Sequence, residues 1–323
     1  MRPPALFFLV LLFITTHTSA QTNIPVHDPV MIKQDSVYYL FCTGRGISVW
    51  SSKDRKTWQR EKPVFDTLPW GVKAVKGFRN HIWAPDISYH NGLYYLFYSV
   101  SAFGKNTSCI GMATNTTLHP ADPAFKWIDH GKVIESVPGR DMWNAIDPNI
   151  IWDEQGQPWM AFGSFWNGLK LVKLNATLTA IDTPQQWHSI ASRKLNYYAP
   201  DSSAGDGAIE APFIIKKGNY YYLFASVDYC CKGEQSTYKM IVGRAEQLTG
   251  PYTDQAGIPL LKSGGTILLQ GDKDWHGVGH NAVCTFDGVD YLIFHGYDAK
   301  DRGRSKLRIE PLTWNNGWPE VTH

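Results

Sequence analysis

One short aromatic motif recurs five times along the 323 residues, and it constrains the fold more than any other feature. It reads Tyr38-Tyr39-Leu40-Phe41, Tyr94-Tyr95-Leu96-Phe97, Trp159-Met160-Ala161-Phe162, Tyr221-Tyr222-Leu223-Phe224 and Tyr291-Leu292-Ile293-Phe294. The closing phenylalanines lie 56, 65, 62 and 70 residues apart. Runs this short and this aromatic, without helical periodicity around them, predict strands. Turns rich in Gly, Asn or Asp precede them, among them His90-Asn91-Gly92, Asp153 to Gly156, Lys217-Gly218-Asn219 and Phe286-Asp287-Gly288. Each unit therefore reads as a hairpin.

A second element recurs just upstream of each hairpin: His27-Asp28-Pro29, Ala84-Pro85-Asp86, Ile146-Asp147-Pro148, Glu210-Ala211-Pro212 and Gly279-His280-Asn281. From its polar residue to the closing Phe takes 13, 11, 15, 14 and 14 positions. Five units of strand and turn predict an all-β, five-bladed β-propeller. A β-sandwich would not repeat a polar residue at the start of each unit. In a propeller the innermost strands line a central channel, so the five polar elements are expected to converge at its mouth.

Composition narrows the function. Hydrophobic residues make up 43%, enough for a large core. Lys+Arg 31 against Asp+Glu 29 leaves no basic field to track a phosphate backbone, so nucleic acid is not an expected partner. Residues 1–20 resemble a secretory signal: Arg2, an apolar run from Leu6 to Ile14, then Thr18-Ser19-Ala20 before Gln21. The run is shorter than the roughly 20 residues of a membrane span; the alternative is a retained N-terminal anchor. Residues 21–323 then form one propeller domain, secreted or periplasmic, with no membrane partner and expected as a monomer. Adjacent Cys230 and Cys231 could close a vicinal disulfide in an oxidising compartment or stay as two buried thiols. Asn106, Asn115 and Asn175 stand in glycosylation-type sequences.

A channel mouth bearing Asp28, Asp86, Asp147, Glu210 and His280 has no thiolate nucleophile and no Ser-His-Asp order. It has clustered carboxylates. Glycoside hydrolysis needs one carboxyl protonated and another ionised, and crowding with partial burial can separate two pKa values in that way. Asp86 could equally tie backbone amides.

The ordered set His27-Asp28-Pro29, Trp83-Ala84-Pro85-Asp86, Asn144-Ala145-Ile146-Asp147-Pro148-Asn149, Glu210-Ala211-Pro212 and Gly279-His280-Asn281 resembles glycoside hydrolase family 43, and within it the endo-1,5-α-L-arabinanases. Supporting stretches are Ser101-Ala102-Phe103-Gly104, Gly163-Ser164-Phe165-Trp166, Asp228 to Gly233 and Leu248-Thr249-Gly250-Pro251-Tyr252, so the likeness spans the mature chain. The resemblance implies an inverting hydrolase of internal α-1,5 bonds in arabinan. Asp28 would be the general base, Glu210 the general acid, and Asp147 the residue that tunes and orients Glu210. Base and acid would then stand roughly 6.5–9.5 Å apart. Trp83, Phe103 and Trp166 would stack on arabinose, and Gly104, Asn144, Ala145, Ile146, Ser164 and Phe165 would complete the substrate-binding set with Asp28 and Asp147. His280 would help hold a mostly water-ligated Ca²⁺; read from the residue alone, it could be a core histidine. Arabinan and arabino-oligosaccharides are the implied partners. An exo-acting arabinanase, an α-L-arabinofuranosidase/β-xylosidase and a non-catalytic sugar-binding propeller are the alternatives. Exo action would need a blocked cleft end, for which a hairpin around Pro69-Trp70 to Phe78 and the segment Tyr197 to Asp206 are candidate walls.

Overall fold

The computed structural model describes residues 23–193 and 207–321, which form a ring of five antiparallel sheets. The first blade is Val30–Gln34, Val37–Cys42, Ser48–Ser52 and Gln59–Arg60. The second is His81–His90, Leu93–Val100, Ser108–Asn115 and Ile128–Ser136, extended on its inner edge by Gly44–Arg45. The third is Asn149–Trp152, Pro158–Phe162, Leu169–Lys173 and Trp187–Ala191. The fourth is Ile209–Lys217, Tyr220–Val227, Lys239–Ala245 and Thr266–Gln270. The fifth is Trp275–Phe286, Val289–Asp298, Arg304–Asn315 and Trp318–Val321. The predicted five-bladed propeller is the observed one.

Each aromatic run is the second strand of its blade, and all five closing phenylalanines are buried. They pack between sheets. Phe97, Ile110 and Met112 of the second blade meet Met160, Phe162 and Val172 of the third, and Phe224 of the fourth meets Phe294 of the fifth. Burying one such ring contributes about 1.5–3 kcal/mol, so the core is a set of apolar seams between blades. The ring closes through the N-terminal segment: Val26 N–H donates to Ser305 O and Leu307 N–H to Ile24 O. That segment pairs with one half of Arg304–Asn315, and Trp318–Val321 pairs with the other half. Among the described residues no helix is long and apolar enough to cross a membrane.

The truly equivalent position in the five units is a backbone conformation rather than a polar side chain. Asp28, Ala84, Asp147, Ala211 and His280 all have positive φ, between 42° and 59°, just before the inner strand (Asp28, Asp147) or at a break in its register (Ala84, Ala211, His280). Four of them precede a proline. L-residues avoid this region, so something must hold each one. A side chain from the preceding blade does so in every case, for Ala211 the Asp147 carboxyl and in the other four a hydroxyl or imidazole. Ala84 N–H donates to Thr43 Oγ1, Asp147 N–H to Ser99 Oγ, His280 N–H to Ser226 Oγ and Asp28 N–H to His295 Nδ1.

This frame displaces Asp86, two residues past Ala84, from the channel mouth. It is buried, accepts Ile150 N–H at 2.8 Å and does not line the cleft; it fastens the second blade to the third. Asn149 repeats the device, accepting Ile214 N–H of the fourth blade at 2.8 Å. Burial outweighs these amide bonds and pushes the Asp86 carboxyl up to about 7. Unfolded aspartate titrates near 3.8, so the stability linked to this proton is complete below about pH 4 and lost as pH rises through about 7. Asp86→Asn keeps an acceptor for Ile150 and removes the charge. Its urea midpoint should fall less than wild type between about pH 4 and about pH 8; an unchanged slope would mean that Asp86 is ionised in the folded state.

The expected hairpin at 69–78 is instead a short helix, Pro69–Ala74, outside the cleft lining. Trp70 packs beside Tyr98 and donates to Asp129, which directs this segment into the second blade. Tyr197 to Asp206 lies outside the described residues. Asn106 and Asn115 are buried, with Asn106 bonded to the Asp141 and Trp143 carbonyls, so these two sequence motifs serve folding.

Candidate active site

At the mouth of the ring lies a cleft of about 670 Å³. Asp28, Asp147, Glu210 and His280, from four blades, open into it. So do Trp83, Phe103, Gly104, Asn144, Ile146, Ser164, Phe165 and Trp166. Ala145 does not: it is fully buried, and its N–H donates to Ser136 Oγ. Its place in the motif is structural, because its neighbours Asn144 and Ile146 are the ones turned to the cleft. Phe103 stands on the rim with 80% of its surface exposed, whereas Trp166 is mostly buried.

The Asp28 carboxylate is clamped by three groups, Thr43, His27 and His280, with His295 farther off. Thr43 Oγ1 donates to its Oδ2 at 2.5 Å, and its Oδ1 lies 2.7 Å from His27 Nδ1, 3.0 Å from His280 Nδ1 and 3.8 Å from His295 Nδ1. Burial alone would raise this carboxyl, but the His27 and His280 imidazoles hold it well below the usual range. The effect is mutual. Burial works against a charge on His280, yet Asp28, with Asp147 and Glu210, pushes that imidazole up to about 9. His295 is fully buried and pushed well below its ordinary value by burial. It stays neutral, and its Nδ1 accepts the Asp28 N–H.

Asp147 is shifted the other way. Burial, together with the Glu210 and Asp28 carboxylates and against the pull of His280, pushes it well above the carboxylate range. Its Oδ2 accepts Ala211 N–H at 3.1 Å, taking the place that a hydroxyl of the third blade would fill in the repeat. That hydroxyl, Ser164 Oγ, instead donates to Glu210 Oε2 at 2.7 Å. Ser164 and Glu210 also form a β-bridge, so the loop after the Phe162 strand is fastened to the inner strand that carries Glu210. Tyr238 packs beneath; a Cβ on Gly279 would come within 2.2 Å of its ring. Burial and the three carboxylates keep the Tyr238 phenol protonated.

The cleft is therefore built around oppositely biased acids: the Asp28 carboxyl is held low, and the Asp147 carboxyl is pushed up beside Glu210. The chain matches the model of the glycosyl hydrolases family 43 over residues 22–319. The protein belongs to glycoside hydrolase family 43. It is 54% identical over 301 residues to the extracellular exo-α-(1→5)-L-arabinofuranosidase ArbA of Cellvibrio japonicus, covering 93% of this chain and 87% of the relative. It is 43% identical over 303 residues to the extracellular endo-α-(1→5)-L-arabinanase 1 of Bacillus subtilis, covering 92% and 88%. A solved Cellvibrio cellulosa α-L-arabinanase complexed with arabinohexaose superposes with a TM-score of 0.91 at 53% identity, covering 93% of this chain and 96% of that one.

Sequence reasoning missed three members of this family 43 cleft, Thr43, His81 and Lys105, and His27, Ala102, Tyr229 and Lys232, which also line it, stood only as parts of motifs. The signal for Thr43 was present. Two residues past four of the five closing phenylalanines stands a hydroxyl residue, Thr43, Ser99, Ser164 or Ser226, with Gly296 in the fifth. Cys230 and Cys231 also line the cleft and are joined as a vicinal disulfide. His280 offers calcium little: its Nδ1 is committed to Asp28, leaving one nitrogen. Among the described residues, the groupings of three potential ligands are His27–Cys230–Cys231 and His27–Asp28–His295, neither containing His280 and neither with more than one carboxylate. Ca²⁺ takes six to eight oxygens, so the residues suit only an ion held mainly by water.

Proposed function

We propose that the protein hydrolyses α-1,5-linked L-arabinan with inversion. The observation that carries this reading is the convergence of three carboxyl groups, Asp28, Asp147 and Glu210, from three blades into one cleft, with Asp28 biased downward and Asp147 upward. Asp28, an anion with fixed lone pairs, takes a proton from the attacking water. Glu210, oriented by Ser164, protonates the departing sugar oxygen, and Asp147 beside it tunes the acid and helps orient it. Phe103 and Trp83 offer ring surface to the furanose units, and Asn144 is held in place by Ser108 Oγ–H at 2.6 Å. The arabinohexaose complex of the Cellvibrio arabinanase supports the substrate class.

The sequence suggests internal cleavage. Attack from a chain end is the reading favoured by the 54% identical Cellvibrio enzyme and by a 46% identical ruminal metagenomic enzyme, both named exo-acting. The 43% identical Bacillus enzyme, named endo-acting, supports the internal mode. A product time course on linear arabinan separates them: one oligosaccharide from the first minutes is expected, and an early mixed ladder would mean internal cleavage. The same assay with chelator tests the water-held Ca²⁺ near His280. A fall in turnover restored by added Ca²⁺ is expected, and full activity after chelation would remove the ion from the account. Export is part of the proposal, supported by the naming of both curated relatives as extracellular.

A further inference from the structure

We propose that the Cys230–Cys231 disulfide is a positioning element for Asp28, acting through Tyr297 and His27. The proposal rests on the hydrolytic reading above, in which Asp28 is the base. The two cysteines lie on the cleft rim in the connection after Tyr220–Val227, and Cys231 is exposed and has φ 67°, a conformation rarely adopted by L side chains. Closing the pair into one ring holds the 230–231 peptide in that shape. The Cys231 N–H then donates to Tyr297 Oη at 2.8 Å. Tyr297 Oη lies 2.9 Å from His27 Nε2, and His27 Nδ1 lies 2.7 Å from Asp28 Oδ1.

With the His27 ring neutral, these contacts run in one direction. Asp28 accepts from Nδ1–H, which leaves Nε2 bare. Tyr297 donates its hydroxyl proton to Nε2, and its oxygen lone pair receives the Cys231 N–H. His295 stacks on His27 with ring centroids 3.9 Å apart, which limits tilting of the ring but does not choose its tautomer. Cys231 Sγ lies 3.8 Å from His27 Nε2 and adds packing on the same side. The rest of the loop is tethered independently: Lys232 N–H donates to Ser236 Oγ. The disulfide's distinctive contribution is thus the Cys231 N–H, and losing it would free Tyr297 and let the His27 tautomer and Asp28 orientation drift.

The test uses the full-length protein, arabino-oligosaccharide kinetics and imidazole nitrogen NMR without substrate. The paired change Cys230→Ser with Cys231→Ser, and Tyr297→Phe alone, should each lower kcat about tenfold while KM moves less than about twofold. Combining all three changes should lose no more than Tyr297→Phe alone, because both act on one relay. In the nitrogen spectrum, wild-type His27 should show a protonated Nδ1 and a bare Nε2, and each variant a tautomer mixture. A water-soluble phosphine applied to folded wild type provides a second route. It passes two electrons to the disulfide, yields two thiols and becomes a phosphine oxide with oxygen from water. The same kcat loss and tautomer mixing should follow, reverse on reoxidation and be absent in the serine pair. Multiplying losses in the triple variant, a rise in KM at constant kcat, or an unchanged His27 tautomer after reduction would each overturn the proposal. Failure of the wild type to cleave arabinan would instead strike the functional reading, since the nitrogen spectrum still reads the relay.

Discussion

Glu210→Gln is expected to lower kcat on arabino-oligosaccharides by about a thousandfold while KM stays within about threefold. Glutamine has the same size and still offers an oxygen to the Ser164 hydroxyl, so the bridge between Ser164 and residue 210 persists. What disappears is a proton acidic enough to follow the breaking bond to the sugar oxygen. The loss should depend on the leaving group. An aryl arabinofuranoside whose phenolate departs unprotonated should be spared much of it, and the natural linkage should not. Steady-state kinetics on the two substrates check this, and a variant that cleaves arabino-oligosaccharide at near wild-type rate would show that Glu210 is not the acid.

Asp28→Asn removes the other half of the chemistry and should cost kcat about a thousandfold, with no rescue from a better leaving group. The contrast between the two leaving-group profiles assigns the roles separately. It carries a second signature that does not require turnover. His280 is held at about 9 mainly by the Asp28 anion, against burial. Once the charge is gone, burial dominates and the imidazole pKa should fall below its ordinary value. In wild type the cation is present below about pH 9 and lost above it; in the variant the loss should move to acid. Titration of the His280 ring proton by NMR reads the difference, and an unmoved pKa would mean that Asp28 does not face His280 as an anion.

The architecture was legible in the sequence because it depends on local repetition. Five buried phenylalanines in second strands are what a seam between blades demands, and they repeat without insertion inside the motif. The channel-mouth residues were less legible because the count began from the polar side chain. The repeated quantity is a left-handed backbone position, occupied by Asp28, Ala84, Asp147, Ala211 and His280, and side-chain type varies there. Counting from the carboxylate placed Asp86 at the mouth, whereas two residues beyond Ala84 the strand has already turned inward to the neighbouring blade. Glu210 reached the cleft from one residue before Ala211, in a β-bridge with Ser164 that no linear spacing reveals. Ala145 stands between two cleft residues, Asn144 and Ile146, and a motif carries no information on which of three consecutive residues faces the cleft. Tyr229, Lys232 and the disulfide arrive on a connection whose course is set by contacts to the fifth blade, among them Cys231 N–H to Tyr297, 66 residues away.

The anomer released first shows whether Asp28 acts as a base or as a nucleophile. In a single displacement, water activated by Asp28 attacks the face opposite the bond that Glu210 protonates, so an α-linkage yields the β-sugar. Proton NMR of arabino-oligosaccharide hydrolysis within the first minutes, before mutarotation, should show β-arabinofuranose at the new reducing end. The α-anomer appearing first would require a covalent intermediate and would contradict the assignment of Asp28 as a base.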